Sequence, residues 1–188
     1  TKDSSGVKVF IPGVIWPSLY HLRLLAWTES WRNKENLKML SKIIQRLITF
    51  SPIPPIKILS QSQIVSPASF CMDQFAPDMH KLKDFEWMVW FQRMELLARL
   101  GVIHLIPALE DQIRNLYKIL DEYHGFFGLR INHSFFREKN VYTGLMLEKN
   151  WKSSQRRIFD LTFRSLLIIN YYQINKDLER TYRVSVKE

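Results

Sequence analysis

Three short strings of similar sequence recur along this chain at nearly even intervals. Their double leucines lie at positions 24/25, 96/97 and 166/167, so that 72 and then 70 residues separate them. Each string lies in a stretch whose apolar residues recur with the 3.6-residue period of an amphipathic helix. Recurrence of one helical unit at a regular spacing is typical of stacked helical arrays. The spacing therefore predicts an all-α fold of stacked antiparallel helical hairpins.

Local start and stop signals place the first helices. Pro17 suits the first position of a helix that we expect to run to about Trp31, because a proline there loses no hydrogen bond. Asn33 suits the cap of the next helix, since its side-chain oxygen accepts amide protons of the first turn. The strongest helical pattern covers 82–100, and Gly101 follows where a left-handed residue ends a helix.

The second half of the chain repeats this organisation. Pro107 opens the helix that pairs with 82–100, and Ser153 or Ser154 caps a long last helix. We expect the polar segment from Gln173 onward to fray. Together the apolar stripes predict a buried core. Its members are Leu22, Leu25, Leu40, Leu47, Met88, Leu96, Leu97, Ile113, Leu116, Leu161 and Ile168.

The segment 51–80 interrupts the helical pattern. It contains five prolines, and nine large apolar residues lie between Ile53 and Phe75. The fragment from Ile56 to Leu59 has the composition of a short strand. Exposing nine large apolar residues would create a patch that soluble monomers rarely carry. We therefore expect an ordered Pro-rich loop that packs on the helices and buries Ile56, Ile58 and Phe70.

Length and composition limit the class of protein. The 188 residues, 46% of them hydrophobic, suit a single domain over 1–188. Because the chain begins at Thr1, a C-terminal fragment of a longer helical-repeat protein is the alternative expectation. Its apolar runs are too short for a membrane span. The one cysteine, Cys71, allows no internal disulfide and fits a reducing, cytoplasmic location. We expect Cys71 to be a buried bystander.

Positive charge is concentrated late in the chain. The formal net charge is +9, and 130–157 holds seven Lys or Arg against two acids. Arginines that converge on a helix N-terminus make an anion site, because the first-turn amides and the helix dipole add to their charge. The first hypothesis is therefore a binding module for nucleic acid, a phosphate-bearing ligand or an acidic protein. Its expected contacts are Arg130, Arg137, Lys149, Lys152, Arg156 and Arg157.

Other interpretations of the charged residues stay open. In a second interpretation, Arg156 and Arg157 are solvated, while Asp160 pairs with Arg164 one helical turn later. On the helix over 82–100, Glu95 and Arg99 have the same spacing and are expected to pair. The histidines and the cysteine lack the spacing of metal ligands, so neither a metal nor a cofactor is expected.

The pattern of helical hairpins with long connectors, together with the segment Tyr142-Thr-Gly-Leu-Met-Leu-Glu-Lys-Asn-Trp151, loosely resembles the α/α-toroid superfamily of terpene cyclases and protein prenyltransferase β-subunits. The resemblance implies helices around a central cavity. The cyclase repeat Gln-x-x-x-Gly-x-Trp and the aspartate-rich motifs are absent, and Cys71-Met-Asp73 reverses the order of the prenyltransferase zinc pattern. The resemblance therefore concerns the fold alone.

The alternative hypothesis is a toroid-like enzyme that acts on an isoprenoid or another apolar substrate bearing a phosphate. Its catalytic candidates are His133, Glu148 and Asp160. His133 with Glu148 would form a general acid–base pair, since histidine titrates near neutrality and a carboxylate can orient its ring. Such an enzyme requires a deep aromatic-lined pocket on which these side chains converge.

Overall fold

The chain is mainly helical, as predicted. The computed structural model describes residues 2–4, 7–9, 19–49, 57–60, 62–65, 77–131 and 146–185, with side chains up to Leu178. Helices account for 70% of the described residues. The α-helices are α1 (Leu19–Trp27), α2 (Lys34–Thr49), α3 (Asp84–Leu100), α4 (Pro107–Glu122) and α5 (Ser154–Ser185). Short 3-10 helices at Met79–Lys81 and Ile103–Leu105 precede α3 and α4.

Two small antiparallel hairpins accompany the helices. Strand β1 (Lys2–Ser4) pairs with β2 (Val7–Val9), and β3 (Ile58–Ser60) pairs with β4 (Gln63–Val65). The second hairpin confirms the short strand expected near Ile58, whereas the sequence pattern missed the other three. Ile58 is half-buried, while Leu59 and Ile64 are exposed. Ile56, Phe70 and Cys71 lie outside the described residues, so their expected burial stays a prediction.

Several helix signals act as the sequence predicted. Asn33 Oδ1 accepts the amide of Asn36 at 2.8 Å, which caps α2, and Pro107 is the first residue of α4. Gly101 ends α3 in the left-handed conformation, with φ of 74°. It also allows α5 to approach, since a Cβ at this position would lie 2.8 Å from Asn175 Oδ1.

The ends of two helices differ from the prediction. Helix α1 ends at Trp27 rather than near Trp31, because the Trp31 indole donates to the Leu25 carbonyl at 2.8 Å and so takes the place of the next turn. Helix α5 does not end at Gln173 but continues to Ser185. Asn175 holds this part of α5 to the rest of the fold by donating to the Ala98 carbonyl at 3.0 Å.

Helix α3 lies at the centre of the fold, with α5 and α1 packed against it. Four aromatic side chains form a cluster with ring centroids 5.2–5.9 Å apart; four of these contacts are edge-to-face, and that of Trp87 with Phe91 is tilted. They are Trp87, Trp90, Phe91 and Phe127. The Trp90 indole donates to Gln112 Oε1 at 3.1 Å, which satisfies its polar group and ties α3 to α4.

The predicted core is largely buried, with Leu25 and Leu40 half-buried at its edge. The three similar strings lie in α1, α3 and α5, in different environments. Leu96 and Leu97 are buried, whereas Leu24 and Leu166 are exposed. The strings therefore mark the three helices that pack together, and a repeating or toroidal arrangement stays a prediction. Within the described residues, no helix combines the length and the apolar character needed to cross a membrane.

Candidate functional site

The segment before α5 is held in place by one buried carboxylate. Asp160 Oδ2 accepts the amides of Leu147 and Glu148 at 3.0 and 3.1 Å, and the Trp151 indole N–H at 2.6 Å. Both Asp160 and Trp151 are buried. Hydrogen bonds to a buried carboxylate are charge-assisted, and they are shorter and stronger than bonds between neutral groups. Asp160 therefore fixes residues 147–151 against the first turns of α5.

The start of α5 is built by its own side chains. Ser153 Oγ accepts the amide of Arg156 at 3.2 Å, which confirms the cap predicted at this position. Just before it, Asn150 Oδ1 accepts the amide of Lys152 at 3.1 Å. The first turn of α5 carries no acidic residue, so the positive end of the helix dipole is not offset by a carboxylate within that turn.

An open cleft of about 580 Å³ lies at this helix start. Its lining comprises Glu148, Asn150, Lys152, Ser153, Gln155, Arg156 and Phe159. Lys152 and Arg156 are exposed, and Arg156 Nε lies 3.9 Å from Glu148 Oε2. This loose, solvated pair leaves much of the positive charge of the cleft available, because an exposed ion pair contributes little.

The structure brings together only part of the predicted site. Glu148, Lys152 and Arg156 share the cleft, whereas Arg157 is half-buried and absent from its lining. Arg130 and Lys149 are exposed elsewhere on the described surface. Arg137 and His133 lie outside the described residues, so the proposed pairing of His133 with Glu148 stays a prediction.

The alternative pairing of Asp160 with Arg164 is wrong. Arg164 NH1 instead donates to Glu95 Oε2 at 2.8 Å, across 69 residues of sequence. The four-residue spacing on α5 predicted this pair. In the structure, Asp160 instead binds the loop before the helix, and Arg164 binds Glu95 of α3. The sequence did not identify Trp151 as a partner of Asp160, or Glu95 as a partner of Arg164, because both contacts depend on tertiary packing.

A second charged group, the Glu95 cluster, joins α1, α3 and α5. Glu95 Oε1 accepts from Arg99 Nε and NH2 at 3.2 and 3.1 Å, which confirms the predicted pair, and Oε2 accepts from Arg164. The Arg99 guanidinium lies over the rings of Trp27 and Tyr171, at 4.5 and 4.2 Å from their centroids. These contacts pair and shield the charges, so the cluster serves the packing of the helices.

A third group, the Glu110 triad, connects α4 to α5. Glu110 Oε1 accepts from the Tyr172 hydroxyl and from Lys176 Nζ, each at 2.6 Å, and Lys176 also donates to that hydroxyl. The bond from Lys176, followed by that from Tyr172, lowers the pKa of Glu110. The same bond raises the pKa of Lys176. The sequence offered one signal for this triad, the four-residue spacing of Tyr172 and Lys176.

The described residues contain no group of three or more His, Cys, Asp or Glu side chains able to hold a metal ion. Comparisons with known proteins add no further constraint. The chain matches no protein-family model, and neither a curated protein nor a solved structure is significantly similar to it. The function is therefore argued from the geometry of the site.

Proposed function

We propose that this protein is a helical binding module whose contact surface for an anionic partner is the cleft at the start of α5. The observation that carries the proposal is the Asp160 anchor, which holds 147–151 so that Lys152 and Arg156 face one open cleft at a helix N-terminus. A phosphate or carboxylate placed there gains from both side chains and from the positive end of the helix dipole.

The shape of the cleft favours binding over catalysis. The enzyme hypothesis requires a deep, aromatic-lined pocket in which Glu148 and Asp160 converge. Among the residues that the structure describes, Phe159 is the one aromatic residue that lines the cleft, and the cleft is open to solvent. Asp160 faces backbone amides and an indole rather than the cleft, and its Oδ2 already accepts three hydrogen bonds. These bonds give Asp160 the role of holding the loop before α5 in place, not that of a catalytic acid or base.

Salt dependence of binding tests the proposal. A short, fluorescein-labelled single-stranded oligonucleotide serves as a generic polyanion, and its affinity is measured by anisotropy over a range of salt concentrations. Each phosphate neutralised by the protein contributes about 0.7 to the slope of log affinity against log salt. We expect the double variant K152A/R156A to weaken binding and to reduce that slope by about 1.4.

The matched control is K38A/K42A, which removes two exposed lysines from α2 and so changes the net charge equally. We expect this variant to retain most of the affinity. An equal loss in both variants would show a general charge effect, and salt-insensitive binding would show that the contacts are not ionic. Either result contradicts the proposal.

A further inference from the structure

An apolar stripe begins at the cleft and runs along the outer face of α5. It consists of Phe159, Phe163 and Leu166, whose exposed fractions are 45, 49 and 51%. Their spacing of four and then three residues places them on one helical face over about 10 Å. Phe159 also lines the cleft. The stripe and the cationic side chains therefore form one continuous surface.

Neighbouring residues widen this stripe. The ring of Phe126, which follows α4, lies with its centroid 6.4 Å from that of Phe159 and is itself exposed. Leu147, whose amide donates to Asp160, the residue that follows Phe159, is 57% exposed. Single exposed apolar residues are ordinary, but large side chains gathered on one face mark an interaction surface.

We propose that this surface binds an amphipathic, acidic helix of a partner protein. Apolar residues of the partner helix would pack on the stripe, and carboxylates at one of its ends would meet Lys152 and Arg156. This is the helix-in-groove mode of recognition, in which residues spaced three or four apart act as anchors. The inference rests on the proposed function, and it assigns the anionic partner to a chemical class.

Charge complementarity selects this occupant over a second copy of the chain. Two copies packed stripe to stripe would bring their cationic clefts close together, and each chain carries a formal net charge of +9. Like charges placed opposite one another oppose association. An acidic partner gains from the same field, which also speeds its encounter with the cleft.

The composition of the stripe selects a polypeptide over a nucleic acid. Bases stack on aromatic rings, and Phe126, Phe159 and Phe163 offer such rings. The exposed aliphatic side chains of Leu147 and Leu166 have no π face, however, and a phosphate backbone gains nothing from covering them. Aliphatic and aromatic groups beside cations match the side chains of an acidic amphipathic helix.

The test uses a synthetic helical peptide with leucines at i, i+4 and i+7 and glutamates in the turn before them. A scrambled peptide of the same composition and charge is the reference. The variant F163Q/L166Q replaces two of the three stripe residues and keeps Phe159 in the cleft. M39Q/I43Q is its control, since Met39 and Ile43 form a similarly exposed pair on α2. Circular dichroism melting of each variant verifies that it is folded.

We expect the wild-type protein to prefer the amphipathic peptide over the scrambled one by tenfold or more. F163Q/L166Q should lose this preference and keep its affinity for the oligonucleotide, and M39Q/I43Q should keep both. K152A/R156A should weaken the binding of both probes, because the cations serve either ligand.

Other outcomes overturn the inference in distinguishable ways. Equal binding of the two peptides, or failure to bind either while the oligonucleotide still binds, refutes the helix partner and leaves the proposed function intact. Loss of oligonucleotide binding in F163Q/L166Q assigns the stripe to a nucleic acid instead. Stripe-dependent binding to vesicles of anionic phospholipid, with no peptide preference, assigns it to a lipid surface. Failure of wild type to bind any of these probes refutes both proposals.

Discussion

Two arginines of helix α5, eight residues apart, differ in role: one pairs with a shielded carboxylate in the fold, and the other lies in the exposed cleft. Arg164 belongs to the Glu95 cluster, where its NH1 lies 2.8 Å from the carboxylate and both side chains are 14% exposed. Arg156 belongs to the cleft, where its Nε lies 3.9 Å from Glu148 and the two side chains are 46 and 38% exposed. The same pair of residue types thus occurs in a shielded and in a solvated form.

The difference shows how burial determines whether an ion pair contributes to stability or remains available for binding. In the Glu95 cluster the desolvation of the charges is offset by close hydrogen bonds and by the rings around Arg99, so removing one partner leaves unpaired charge inside the fold. In the cleft, water screens the pair and either partner is dispensable for stability. The solvated arginine is then free to exchange its carboxylate for a ligand.

The largest expected effect is that of Glu95→Ala. This change removes the carboxylate that Arg99 and Arg164 share. It also removes a nearby charge from Arg23, whose pKa is lowered by burial, an effect that the charge of Glu95 opposes. Removing one partner from a buried pair typically costs about 3–5 kcal/mol of unfolding free energy. Urea denaturation measures this loss, and Glu148→Ala is the control, expected to change stability by less than about 0.5 kcal/mol. Similar losses in the two variants would contradict the distinction between the groups.

Asp160 combines features of both groups, because it is a buried carboxylate that holds the segment lining the exposed cleft. Asp160→Ala leaves the amides of Leu147 and Glu148 and the indole of Trp151 without their acceptor. We expect a loss of about 2–3 kcal/mol and weaker oligonucleotide binding. Asp160→Asn retains a carbonyl oxygen and should lose less of both. Unchanged affinity in folded Asp160→Ala would show that the anchor does not shape the cleft.

The Glu110 triad should make stability depend on pH at both extremes. The pKa of Glu110 is lowered, so its contribution is complete above the ordinary glutamate pKa and is lost as pH falls through the lowered value. The pKa of Lys176 is raised, so its contribution is complete below the ordinary lysine pKa and is lost as pH rises through the raised value. Burial, followed by the bond to Glu110, raises the pKa of Tyr172, with the same sign as for lysine.

Glu110→Gln should remove most of this pH dependence and cost about 1 kcal/mol at neutral pH, as the loss of a partly exposed, charge-assisted bond does. The exposed Glu122, at the end of α4, provides the control Glu122→Gln. Unfolding free energies measured across the acidic range distinguish the two variants. An identical acid response in wild type and Glu110→Gln would disprove the role of the triad.

The sequence predicted what depends on local spacing. The cap at Asn33, the helix end at Gly101, the start at Pro107 and the pairing of Glu95 with Arg99 each follow from residues within four positions. Features that join distant segments were missed, such as the bond between Arg164 and Glu95. Periodicity shows which face of a helix is apolar but does not identify the partner of a polar side chain.

The candidate site shows the same division. Lys152, Arg156 and the Ser153 cap were identified from charge and capping signals, because these residues lie within one turn of the helix start. The role of Asp160 as a loop anchor was not predicted, since its bonds to Leu147 and Trp151 require the preceding segment to fold back on α5. The apolar stripe was also not predicted. Leu166 matches Leu96 in the similar strings, but Leu96 is buried and Leu166 is exposed, and sequence similarity alone does not reveal that difference.

The most direct test of the account compares Arg156→Ala with Arg164→Ala in two assays, urea unfolding and oligonucleotide affinity. We predict that Arg156→Ala loses affinity severalfold with its unfolding free energy unchanged. Arg164→Ala should lose about 1–3 kcal/mol of stability while its folded fraction binds the oligonucleotide as wild type does. A loss of affinity in Arg164→Ala equal to that in Arg156→Ala, or a destabilised Arg156→Ala, would contradict the separation of scaffold from binding surface.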